Sequence, residues 1–91
     1  MSKVNDYTEI VDLLEGAKNV MGHTRQNLNM SFSRHKIDQA VNVLNETNNY
    51  SEAIKLLEEA KLVMGHTRQN LNTSFARHKI DQAIALVEEL S

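Results

Sequence analysis

Ninety-one residues with a formal charge of −2 are expected to form one small domain, burying about 60–65% of its unfolded surface and leaving no room for a separate catalytic unit. Without Cys the chain has no disulfide framework, thiolate metal site or thiol redox chemistry, and with no Pro and three Gly it lacks the turns of a sandwich or barrel. No run approaches 18 apolar residues and Met1 to Asp6 lack an apolar leader segment, so a cytoplasmic protein with no membrane contact is expected.

The first element opens at Asp6-Tyr-Thr-Glu9, where an Asx side chain can accept from an amide three residues on while the Glu reaches back. Ile10, Leu13, Leu14, Ala17, Val20 and Met21 then recur at helical spacing on one face. Gly22 offers one place for the helix to end. Yet the apolar phase runs on through Thr24, Leu28, Phe32 and His35, and slips only between Phe32 and Ile37. A mid-helix Gly costs only ~1 kcal/mol, and Arg34, His35 and Lys36 suit a helix C-terminus. The spacing therefore favours a bend at 33–36, and at 76–79 in the second half. Phe32 and Phe75 are expected to anchor the core, with His35 and His78 on or near the same stripe.

A further helix carries Ile37, Ala40, Val41 and Leu44, and Thr47-Asn-Asn49 is the clearest turn in the chain. The pattern then starts again. Asn49-Tyr-Ser-Glu52 opens a second copy with Ala53, Leu56, Leu57, Ala60, Val63 and Met64, and Ile80, Ala83, Ile84, Val87 and Leu90 close it. Residues 7–48 and 50–91 align without a gap. The expected fold is all-α: two tandem copies of a helical hairpin forming an antiparallel four-helix bundle with pseudo-two-fold symmetry. A dimer of long hairpins is the alternative if neither internal bend forms.

Asn49-Tyr-Ser-Glu-Ala53-Ile-Lys-Leu-Leu57-Glu-Glu-Ala60 resembles the second helix of a tetratricopeptide repeat, with Ala53, Leu57 and Ala60 on its packing positions. Upstream, Ile37, Ala40, Val41 and Leu44 depart from that family's pattern, the period is 43 rather than 34, and the closing Pro is missing. Two amphipathic helices solving the same packing problem account for the likeness.

The two copies are most alike over 21–40 and 64–83, where 18 of 20 positions match and only Met30/Thr73 and Ser33/Ala76 differ. Packing alone would hold apolar positions and release polar ones, but here the polar residues are held. Three explanations compete: two like segments packing on each other across a two-fold axis, a recent or engineered duplication, and a surface kept for a partner. Charge favours the last. Residues 21–37 and 64–80 contain Arg25, Arg34, Lys36, Arg68, Arg77 and Lys79 and no acid, so each segment carries +3 and the remainder −8. Pairing with acidic helices (Glu58, Glu59, Glu88, Glu89) explains neither the identity nor the amides, because surface pairs are worth only ~0–1 kcal/mol each.

The candidate partner-binding residues are accordingly His23, Arg25, Gln26, Asn29, Arg34 and Lys36 with their twins His66, Arg68, Gln69, Asn72, Arg77 and Lys79. Arg beside Asn and Gln suits a protein backbone, a phosphate or a base edge. A non-enzymatic module binding a protein partner, or a second copy as a homo-oligomer, is the favoured reading. Nucleic acid contacted through phosphates is the second, disfavoured by the overall acidity and by scarce aromatics.

A His-centred site is the third. His23, His35, His66 and His78 lack the His-x-x-x-His or Glu-x-x-His spacing of helical metal ligands, so no metal or cofactor is expected. His23-Thr-Arg-Gln-Asn-Leu28 faintly resembles the phosphoacceptor box of histidine-kinase dimerisation helices, without the acid after His or the Pro before Leu. No catalytic residue is expected: Ser31 and Ser74 sit in helical sequence with no oxyanion-hole turn.

Overall fold

A computed structural model of the chain describes residues 7–22, 27–66 and 69–91. They form four helices, α1 (Thr8–Met21), α2 (Leu28–Thr47), α3 (Tyr50–Met64) and α4 (Leu71–Leu90), and no strand occurs among them. The arrangement is the expected antiparallel four-helix bundle.

The α2–α3 turn forms where the sequence places it. Asn48 ends α2 in the left-handed region (φ 55°), a conformation that Asn tolerates better than most residues. Asn49 then caps α3 by accepting from the Glu52 amide at 3.1 Å. The corresponding cap predicted at Asp6 lies outside the described residues, and the N-cap position of α1 is Tyr7, with no side-chain cap bond.

Each helix buries one seam of alternating three- and four-residue steps. The seams are Ile10, Leu14, Ala17, Met21 on α1; Met30, Ser33, Ile37, Ala40, Leu44 on α2; Ala53, Leu57, Ala60, Met64 on α3; and Thr73, Ala76, Ile80, Ala83, Val87 on α4. Such a period averages 3.5 residues, the spacing of helices that pack side by side at a shallow angle. Small residues recur every seventh position (Ser33 and Ala40, Ala53 and Ala60, Ala76 and Ala83) and let neighbouring backbones approach. At one such point the buried Ser33 Oγ donates to the Ala60 carbonyl at 2.8 Å.

The sequence repeat is not the tightest packing unit. α2 lies mainly along α3 and α1 mainly along α4, whereas the two helices within each copy touch one another less. The tight pairs therefore cross the repeat boundary, and α2 and α4 sit on opposite corners of the bundle.

The expected bends at 33–36 and 76–79 do not occur, since α2 and α4 run straight through them. The first and third helices end instead at Gly22 and Gly65. Helix α1 closes with the Gly22 amide shared between the Lys18 and Asn19 carbonyls, and α3 closes in the same way at Gly65. A Cβ would stand 3.3 Å from the Asn19 oxygen at Gly22 and 3.2 Å from the Leu62 oxygen at Gly65, so glycine suits this close approach. Asn27 and Asn70, both extended (φ −152°), then start the next helices. Phe32 and Phe75 are consequently not core anchors. They point outward, as do His35 and His78, because a helix that buries Met30, Ser33 and Ile37 puts residues 32 and 35 on its far side.

Candidate interaction surface

The repeated segments begin at the interhelical connections, and several of their polar residues are used there. Asn27 Oδ1 accepts from the Met30 amide at 2.9 Å and Asn70 Oδ1 from the Thr73 amide at 3.0 Å. In the second copy Thr73 Oγ1 also accepts from the Asn70 amide at 2.8 Å, a reciprocal cap that the first copy, with Met30, cannot form. Gln69 reaches back to donate to the Met64 carbonyl at 3.0 Å, and its Oε1 accepts from Thr73 Oγ1 at 3.3 Å and Arg77 Nη1 at 3.4 Å. Asn29, half-buried, donates to the His66 carbonyl at 3.5 Å and so ties the start of α2 to the other copy's connection.

The lysines are engaged as well. Lys36 pairs with Glu59 at 3.0 Å across the α2/α3 seam. Its twin Lys79 lies over Gly16, with Cδ 3.4 Å and Nζ 3.7 Å from where a Cβ would stand. Lys18 donates to Asp38 at 2.6 Å, and the equivalent Lys61 donates to Asp81. The hydrogen bond to each aspartate raises its lysine above the ordinary value, outweighing the opposing effect of partial burial, with Glu15 and Glu58 adding to it.

Between the two helices of each copy runs a cleft. One, of about 530 Å³, is lined by Glu15, Gly16, Lys18, Asn19, Gly22 and Arg34. The other, of about 290 Å³, is lined by Glu58, Lys61, Leu62, Gly65, His66 and Arg77. Each holds acid and base together and makes no concentrated charge for a small ion. Among the described residues no group of His, Asp and Glu is placed to hold a metal, and no helix is long and apolar enough to cross a membrane.

Of the candidate partner-binding residues, His23, Arg25, Gln26 and Arg68 lie outside the described residues. Asn29, Lys36, Gln69 and Arg77 make the intramolecular contacts just given. Arg34 and Asn72 are half-buried and His66 is exposed. Part of the polar identity between the copies therefore belongs to making the same turn twice.

The surface that sequence reasoning assigned to the core is apolar. Leu28 is 66% exposed and Phe32 51%, and their twins Leu71 and Phe75 are 68% and 51% exposed. Leu28 and Phe32 are one turn apart on the outward side of α2, and Leu71 and Phe75 occupy the same places on α4. Counting back from Ile37, Ala40 and Leu44, rather than forward from Ile10, would have put both phenylalanines off the buried stripe.

No family model, curated protein or solved structure matches the chain, so the likeness of 49–60 to a tetratricopeptide helix stands on those twelve residues alone.

Proposed function

We propose that this protein is a non-enzymatic helical interaction module that uses the duplicated segments 21–40 and 64–83 to engage a protein partner or another copy of itself. One observation carries the reading: Leu28 with Phe32, and Leu71 with Phe75, are identical in the two copies although at least half of each side chain faces water. Core packing does not account for keeping them, and burial of such pairs against another surface is the usual source of binding energy. The use of Lys36 and Arg77 in internal contacts makes a phosphate-reading surface the weaker alternative. A cytoplasmic location belongs to the same reading and is in keeping with the lack of cysteine.

The test combines light scattering over a range of concentrations with affinity capture, comparing the native chain with Phe32→Ser/Phe75→Ser. Loss of self-association or of captured partners, with an unchanged circular dichroism spectrum, is the expected result. A folded double variant that keeps every association would overturn the proposal, and so would loss of association caused by unfolding.

A further inference from the structure

Each half of this chain is covered chiefly by the other half. α2 packs on α3 and α1 on α4, while α1 with α2, and α3 with α4, touch less. Along the α2/α3 seam Ser33 Oγ donates to the Ala60 carbonyl and Lys36 pairs with Glu59. At the ends of the bundle Asn29 donates to the His66 carbonyl, and the Tyr7 and Tyr50 hydroxyls meet. The ion pairs that stay within a half, Lys18 with Asp38 and Lys61 with Asp81, lie at the solvent-exposed edge. Only Asn48 and Asn49 join the two hairpins, between the last residue of α2 and the first of α3.

Opening that link gives up little. The bond from the Glu52 amide to the Asn49 side chain and that from Thr47 Oγ1 to the Val43 carbonyl are local to α3 and α2. Tyr7 and Asn48 belong to the same half and stay together. What is lost is the bond from the Asn49 amide to Thr47 Oγ1. What is relieved is the left-handed Asn48, at φ 55°, a conformation that costs any residue but glycine something.

We infer that the inner face of each hairpin is an interaction surface for a second copy of this chain. The α1–α2 hairpin of one chain docks on the α3–α4 hairpin of the other, and the reverse pair forms alongside, giving a hairpin-exchanged dimer. The occupant is fixed by the fold, because each inner face already has its complement within the chain. Exchange rebuilds every contact between halves and alters only the link. A foreign helix pair would need small residues at each close crossing, a carbonyl facing Ser33 and an acid facing Lys36, all of which the second copy supplies at Ala53, Ala60 and Glu59. The inference goes beyond the interaction-module reading, since it uses the buried seams and leaves the outward Leu28/Phe32 and Leu71/Phe75 ridges free. The dimer shows those ridges twice over, which multiplies avidity for a multivalent partner.

The short link holds a chain's own hairpin at millimolar effective concentration, so exchange is expected when unfolded chains refold at millimolar concentration and not at micromolar. The test unfolds the full chain in guanidinium, refolds it at both concentrations and sizes the products. A dimer is expected from the concentrated sample alone. It should outlast dilution, because undoing it requires the hairpins to separate, and it should also form from Phe32→Ser/Phe75→Ser. In dimers of labelled and unlabelled chains, isotope-filtered spectra should connect Ser33 with Ala60, and Tyr7 with Tyr50, across chains. Asn48→Val, which resists the left-handed turn, should raise the dimer-to-monomer ratio about tenfold, and Asn48→Gly should lower it. Monomer from every refolding, Asn48→Val included, would overturn the inference. So would a dimer whose Ser33–Ala60 and Tyr7–Tyr50 contacts stay within each chain. A dimer that falls apart on dilution and is missing from the double phenylalanine variant would overturn it too, while supporting association through the ridges. The module reading is judged on chains that have never been unfolded, so the two can fail separately.

Discussion

Tyr7 and Tyr50, twins across the repeat, meet edge to face at one end of the bundle, with ring centroids 6.4 Å apart and planes at 84°. Their hydroxyl oxygens are 3.2 Å apart, and the Tyr7 hydroxyl also donates to Asn48 Oδ1 in the α2–α3 turn. The start of α1, the end of α2 and the start of α3 are thus joined by one polar cluster beside the apolar seam. Edge-to-face rings with a shared hydrogen bond fix the rotation of one copy relative to the other.

Replacing Tyr7 by Phe keeps the ring and removes the hydroxyl. Loss of a hydrogen bond of this kind costs about 0.5–1.5 kcal/mol, and the low end is expected because Asn48 is exposed and regains water. The variant also reports on pH. Burial, then the hydrogen bond and proximity to Tyr50, push the Tyr7 hydroxyl up to about 12, while an unfolded Tyr titrates near 10. The folded state therefore favours the neutral phenol. That contribution is complete below pH 10 and is lost as pH rises towards 12. Urea denaturation at pH 9 and pH 11 should show a larger alkaline loss for the native chain than for Tyr7→Phe. Equal losses would mean that the hydroxyl is hydrated in the folded state.

Gly16 marks where the two copies part company. Glu59 holds the equivalent place in α3 and pairs with Lys36, whereas Lys79 finds only a glycine on α1. Gly16→Glu should raise stability by about 1 kcal/mol from helix propensity, with another ~0.2–1 kcal/mol if Lys79 swings into the pair. The nearest atoms to the new Cβ belong to the flexible end of Lys79, so little has to move. Thermal melts of Gly16→Glu and Gly16→Ala separate the two contributions, since alanine supplies only the first. A rise of about 4–8 °C per kcal/mol is expected for a domain of this size.

How much of this could be read from the sequence depends on how local its cause is. The turn at 48–49 was legible because Asn48 and Asn49 carry out their own capping. The seams of α1 and α3 were legible because their periodicity runs unbroken. The bend was misplaced because Leu28 and Phe32 are apolar without being buried, so they extend the stripe of α1 past its true end at Gly22. The better signal was Asn27, whose cap on Met30 needs only the local chain. The pairing of α2 with α3 and of α1 with α4 was beyond reach, because amphipathic faces say that a helix packs and not which neighbour it prefers. At the surface, the charge pattern was visible in the sequence, while the internal use of Asn29 and Lys36 depends on contacts between copies.

Ser33 sits at a close crossing of α2 and α3, and its hydroxyl donates to a carbonyl of the facing helix. The equivalent place in α4 is Ala76, also fully buried. Ser33→Ala should therefore change stability by no more than about 1 kcal/mol. Ser33→Leu places a branched side chain where the backbones leave no room, and overpacking of this kind costs typically ~1–3 kcal/mol. Chemical denaturation of the two variants checks the contrast. A leucine tolerated as well as alanine would show that the pair is looser than the hydrogen bond implies.

Stability also separates the exposed apolar residues from the core. Phe32→Ser and Phe75→Ser, singly or together, should each shift folding free energy by no more than about 0.5 kcal/mol, as for surface positions. Leu14→Ala, at a side chain with no exposure, should cost about 2–5 kcal/mol from lost transfer energy and the cavity left behind. Urea midpoints of the four variants decide the matter in one series. If the phenylalanines cost as much as Leu14, they are packed in solution, and the outward ridges on α2 and α4 are not available to a partner.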